Sequence, residues 1–178
     1  VKPSLLIASP QMHDPFFERT VVLLWHHDEG GAIGVVVNKP LEQTIEEVLP
    51  APEGVDLAPY RNTPVGWGGP VETGSGTVVS RERMSTEEGW NVDGGLGITR
   101  SLDTLLRLIR RQEPILLCLG YAGWGPGQLD HEIQAGGWLW TDCDASLVFE
   151  VPAEERYDKA LATLGLTRTT VWMQPIDE

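Results

Sequence analysis

Two β-branched runs set close together constrain this chain more than any other feature. Residues 20–26 read Thr-Val-Val-Leu-Leu-Trp-His, residues 32–38 read Ala-Ile-Gly-Val-Val-Val-Asn, and Asp28-Glu29-Gly30-Gly31 lies between them. β-branched side chains suit a pleated strand, and a short glycine-containing connector between two such runs predicts an antiparallel hairpin. Nearly every residue in both runs is apolar, which predicts cover on both faces of the strands.

The rest of the 178 residues supports a mixed architecture built around that hairpin. Short apolar runs at 5–8, 96–99, 115–119, 138–141 and 147–151 read as strands, residues 65–81 as two short strands around a turn, with Trp90 and residues 171–173 as further pieces. Helical spacing is found at 41–49, 101–111, about 128–135, and from Pro152 to Gly165. In 101–111, Leu102, Leu105, Leu106 and Ile109 form the apolar face, Ser101 is the expected N-cap and Pro114 the stop. From 152 onward the inward face is Tyr157, Ala160, Leu161 and Leu164. Eight or nine short strands and four helices without β-α-β alternation predict an α/β protein with a mixed, largely antiparallel sheet. The length suits one domain over 1–178.

Charge excludes some function classes. Thirteen Lys and Arg face 26 Asp and Glu, a net charge of −13. Such a surface repels nucleic acid and anionic membranes. The acids gather in 41–60 and 112–178, around one basic segment holding Arg100, Arg107, Arg110 and Arg111. The late ones, Arg107, Arg110 and Arg111, suit the C-terminal end of a solvated helix and could reach only a few phosphates. The first apolar run, 5–8, is too short for a membrane span. Two cysteines, Cys118 and Cys143, are too few for a disulfide framework and point to a reducing cytoplasm.

The familiar catalytic patterns are not completed. Gly120, Gly123, Gly125 and Gly127 lie between a strand and a helix, where a dinucleotide fingerprint would sit, and Asp144 is at the distance of a ribose-binding acid. The third fingerprint glycine is replaced by Gln128, however, and Pro126 removes a backbone donor. The glycines read better as a tight turn with close backbone approach. Ser75 fails the nucleophile-elbow pattern, and His131-Glu132 fails the zinc-protease pattern. His26 and His27 are adjacent and point to opposite strand faces, so they cannot share a metal. Cys118 lies in an apolar run, and the aspartates beside Cys143 raise its thiol pKa. Trp138 and Trp140 fall on one strand face and read as core or interface anchors. No general base is placed to define a reaction, and no cofactor or metal is expected.

Four segments in order resemble one family. They are Leu5-Leu6-Ile7-Ala8-Ser9-Pro10 with Asp14-Pro15-Phe16-Phe17 and Thr20-Val21-Val22; Gly34-Val35-Val36-Val37-Asn38-Lys39-Pro40; Gly68-Gly69-Pro70-Val71; and residues 119–129, Leu-Gly-Tyr-Ala-Gly-Trp-Gly-Pro-Gly-Gln-Leu. Together they resemble the bacterial AlgH/YqgE family across nearly the whole chain. The resemblance implies a bifurcated, mostly antiparallel sheet curled into a pseudo-barrel and flanked by about four helices. It also implies a transcriptional regulator, and it carries no agreed catalytic residues. With the acidity, it points to action through a protein partner in preference to direct DNA binding. The alternative is a small-ligand or enzymatic site where Asn38, Lys39, Pro40, Gly69, Pro70, Gly120, Tyr121, Gly123, Trp124, Gly125 and Gln128 converge. In that site Asn38 and Gln128 offer amides, Lys39 a charge and Trp124 a stacking face.

Overall fold

The computed structural model describes residues 4–50 and 52–169. The hairpin forms as expected, from strands β2 (Val21–Asp28) and β3 (Gly31–Val36), paired from Val22↔Val36 to Asp28↔Gly31. Gly31 is required there. Its φ is 132°, and a Cβ would lie 2.3 Å from the Trp124 carbonyl oxygen. The register slips between Leu24 and His26, so Trp25 is the extra residue of a bulge. Val21 to Leu24 are buried throughout, whereas exposure alternates beyond the bulge. The expected cover on both faces therefore holds for the first half of β2 and for nearly all of β3, and fails in the second half of β2.

The other strands are β1 (Leu5–Ala8), β4 (Gly66–Trp67), β5 (Val71–Ser80), β6 (Gly89–Val92), β7 (Leu96–Thr99), β8 (Ile115–Trp124) and β9 (Trp138–Thr141). They hydrogen-bond in the order β6-β7-β5-β8-β3-β2-β1-β9. All pairs on this path are antiparallel, and β4 adds one parallel pairing to β8. The sheet forks at β8. Its end pairs with β3 through Ala122–Trp124, while at Cys118 and Leu119 the short β4 takes that partner's place. The chain leaving β3 stays tied to β4 through the Pro40↔Gly66 bridge and the Trp67 N–H donating to the Lys39 carbonyl at 2.7 Å. The sheet also curls: Trp90 of β6 stacks on Trp25 of β2 with ring centroids 5.4 Å apart. It does not close, because β6 and β9 end the order without pairing to each other.

Among the described residues five α-helices flank the sheet, one more than expected: α1 (Ile45–Val48), α2 (Leu102–Arg110), α3 (Gln128–Gln134), α4 (Ala145–Phe149) and α5 (Ala153–Ala162). Thr44 and Glu47 form a capping box on α1. Ser101 caps α2 by accepting from the Thr104 N–H. Leu102 departs from the expected apolar face. It is 49% exposed, and Leu108 is buried with Leu105, Leu106 and Ile109. The strand expected at 147–151 is helix instead. Asp144 accepts the Ser146 N–H at 2.9 Å as N-cap, and Leu147 and Val148 turn into the core. On α5, Leu164 lies beyond the helix and is exposed, while Tyr157, Ala160 and Leu161 are buried. The last strand piece expected, at 171–173, lies outside the described residues.

Strand β8 divides the apolar interior in two. Leu116, Cys118, Ala122 and Trp124 join the larger cluster with β1, β2 and β3. Ile115 and Leu117 join a smaller one with Leu105, Leu108 and Ile109 of α2. This is the period-2 alternation of strand side chains read on both faces of one strand. No described helix is long and apolar enough to cross a membrane.

Candidate functional site

The fork gathers the backbones of the three expected site segments. The Gly68 N–H donates to the Leu119 carbonyl at 2.7 Å, the Val36 N–H donates to the Gly68 carbonyl at 2.8 Å, and Val71 pairs with Tyr121. The side chains nonetheless fall into separate neighbourhoods.

Asn38 serves the backbone. It is 6% exposed. Its Oδ1 accepts the Val21 N–H at 2.8 Å, and its Nδ2 donates to the Arg19 carbonyl at 2.9 Å, tying the start of β2 to the chain leaving β3. Gly69 and Gly120 interlock, since a Cβ on either would collide with the other segment's backbone. Pro70 is exposed. Tyr121 donates its hydroxyl to Glu72 at 3.1 Å, and the Arg100 guanidinium lies 4.7 Å from its ring centroid.

A first cleft, about 520 Å³, is lined by Lys39 and Pro40 among the expected residues. Its walls also include Val37, Tyr60, Cys118 and Arg156. Burial lowers the pKa of the Lys39 ammonium and of the Arg156 guanidinium. Burial pushes the Cys118 thiol up to about 12, which leaves it protonated and unreactive near neutrality. Cys143 is raised to about 12 as well, first by burial and then by Asp144, and both cysteines are free.

A second cleft, about 330 Å³, takes Gly123, Trp124 and Gln128. At its centre is Glu132. One oxygen accepts both indole N–H groups, Trp138 at 2.9 Å and Trp124 at 3.1 Å, and the other accepts Gln128 Nε2 at 3.0 Å. Gln128 in turn accepts the Gly125 N–H at 3.0 Å, which fixes the turn before α3. Phe17 packs within about 6 Å of Trp124 and Trp138, and outward from it Phe16, 59% exposed, stacks on Trp67. Asp14 holds these phenylalanines by accepting their N–H groups.

Sequence reasoning did not find Arg156 or Glu132 as site residues. Glu132 had a signal, since it lies four residues after Gln128 on one helix face. Arg156 had none: it reaches the first cleft only because α5 docks on α4, β1 and β2, which brings its guanidinium to the Val37 carbonyl just beyond β3. The basic segment also changes character. Arg107 pairs with Glu82 at 3.0 Å and with Glu88, and Arg111 pairs with Glu82 at 2.7 Å. Asp144 is the cap of α4, His26 pairs with Asp28, and His27 with Asp130. Among the described residues no group of three His, Cys, Asp or Glu is placed to hold a metal ion.

A forked, curled, open sheet with interlocked glycines and two clefts makes this an α/β protein of mixed, mostly antiparallel architecture. A family model described as AlgH-like matches residues 5–169, and the chain belongs to that family. It is 43% identical over 167 residues to a UPF0301 protein of Burkholderia cenocepacia, spanning 91% of this chain and 87% of that one. A UPF0301 protein of Burkholderia multivorans is 41% identical over 171 residues, spanning 93% and 89%. The solution structure of the AlgH protein from Pseudomonas aeruginosa is similar, with a TM-score of 0.77 at 34% identity over 97% of this chain and 95% of that one. A crystal structure of a Corynebacterium diphtheriae protein shares the fold, with a TM-score of 0.69 at 22% identity over 92% and 87%.

Proposed function

We propose that this protein regulates transcription, as its resemblance to the AlgH/YqgE family implies, by engaging a protein partner without touching DNA. One observation carries the second half of this reading. Arg107 and Arg111, two of the three late arginines of the basic α2 segment, are already bound by Glu82 and Glu88, which leaves Arg110 alone exposed there without an ion pair among the described residues. An arginine held by carboxylates must surrender those pairs before it can neutralise a phosphate, and counterion release is what drives DNA association. The net charge of −13 opposes the approach further. A protein partner fits the surface better. Phe16, Trp90 and Trp140 are exposed aromatics, the residue type enriched at protein interfaces.

The test is made in the cells that produce the protein. Deleting the gene is expected to alter transcript levels, while ultraviolet crosslinking, which joins only groups in direct contact, recovers no DNA with the protein. Recovery of specific DNA fragments, or an unchanged transcriptome after deletion, would overturn the proposal.

A further inference from the structure

Among the described residues the first cleft holds two cations with no carboxylate at ion-pair distance, Glu18 acting on Lys39 and Glu154 on Arg156 only from further away. Lys39 stands half-buried where the chain leaves β3, and among the described residues its ammonium makes no ion pair. Arg156 is also half-buried. Its Nη1 donates to the Val37 carbonyl at 2.6 Å and its Nε to the Val151 carbonyl at 2.9 Å, which fixes the plane of the guanidinium. A guanidinium carries five N–H donors, so these two bonds leave others for a ligand. The contrast with α2 is informative. There the arginines were given acids at contact distance. Here, in a chain with twice as many acids as bases, the two buried cations were not.

Two acids do share the cleft. Glu113 lies 4.0 Å from Arg111, outside the cleft's cation pair, and Glu154 is exposed on the first turn of α5. Among the described residues neither makes an ion pair with Lys39 or Arg156. Much of the remaining wall is apolar, with Val37, Ile115, Leu116, Val148 and Phe149, and Tyr60, Thr63 and Gln112 add polar groups. A cavity of about 520 Å³ falls in the range of roughly 300–1,000 Å³ that small-molecule sites occupy.

We propose that this cleft binds a small organic carboxylate with an apolar body. The carboxylate meets Lys39 and Arg156, and the apolar portion lies against Leu116, Val148 and Phe149. Half-buried cations are costly without a counter-charge, and an anionic ligand relieves that cost where water does so poorly. A planar carboxylate also matches the fork geometry of an immobilised guanidinium. The proposal is independent of the partner-mediated reading above: either could fail and leave the other standing.

The test uses the full chain and the fluorescent probe 8-anilinonaphthalene-1-sulfonate, which pairs an anionic group with an apolar body, with octanoate and 1-octanol as competitors. The expected result is one saturable probe site, from which octanoate displaces the probe at a concentration about tenfold lower than 1-octanol, as a charge-assisted pair would give. Lys39→Gln is expected to weaken octanoate about fivefold or more while keeping the urea midpoint, since among the described residues the ammonium makes no hydrogen bond or ion pair whose loss would cost stability. Arg156→Gln should weaken it too, but that variant also loses two bonds to the backbone. Absence of a saturable site, equal displacement by 1-octanol, or unchanged octanoate affinity in Lys39→Gln would each overturn the proposal.

Discussion

Gly69→Ala is expected to cost about 3–5 kcal/mol, or to prevent folding outright, because it combines a disfavoured backbone conformation with an overlap that only backbone movement can relieve. Gly69 has a φ of 149°, and a Cβ there would stand 2.2 Å from the Tyr121 carbonyl carbon and oxygen and 2.6 Å from the Ala122 nitrogen. The neighbours that must move are the main chain of β8 at the fork. Gly120 answers from the other side, since its own Cβ would lie 2.4 Å from the Gly69 carbonyl oxygen. The β5–β8 register slips between Val71 and Gly76, and this glycine pair stands beside the slip. Gly123 is the internal control. It belongs to the same glycine-rich segment, but its Cβ would meet nothing within 4 Å and its φ is not positive. Gly123→Ala is therefore expected to stay within about 0.5 kcal/mol of the parent. Urea unfolding of the two variants side by side measures the difference.

Glu132→Ala is expected to cost about 2–5 kcal/mol, since each buried donor left without an acceptor costs about 1–3 kcal/mol. The Trp138 side chain is 1% exposed and cannot turn its indole N–H to water. Trp124 is nearly as buried. Both donate to the same Glu132 oxygen, so one truncation orphans both. The loss extends to the loop, because Gln128, released from Glu132, no longer has its amide held toward the Gly125 N–H. Urea unfolding reports the cost. Tryptophan fluorescence in the native state reports the change around the indoles.

How much of this was legible in the sequence varies with the range of the forces involved. The β2–β3 hairpin is a local feature: β-branched runs, an Asp-Glu-Gly-Gly connector, and little dependence on the rest of the chain. The α2 helix is equally local in its N-cap. Its burial is not, and Leu102 was misassigned because which leucines face inward depends on what α2 packs against. The segment Ala145–Phe149 carries strand-favouring residues, yet Asp144 as cap and the burial of Leu147 and Val148 make it helix. The glycine-rich block announced close backbone approach, and Gly69 and Gly120 provide it. The division of the site residues between two clefts was not legible. It depends on the fork at β8 and on Arg156 and Glu132, which tertiary packing brings to the cleft walls.

The acidity that weighed against DNA binding in the sequence has a local counterpart on α2: Glu82 and Glu88 hold Arg107 and Arg111, two of the three late arginines that a phosphate would need. Fluorescence anisotropy of a labelled duplex titrated with the purified full chain, repeated across a series of salt concentrations, tests this directly. Flat anisotropy at physiological salt, with only weak binding at low salt, is the predicted result. Binding at physiological salt whose dependence on salt reports several released counterions would contradict it.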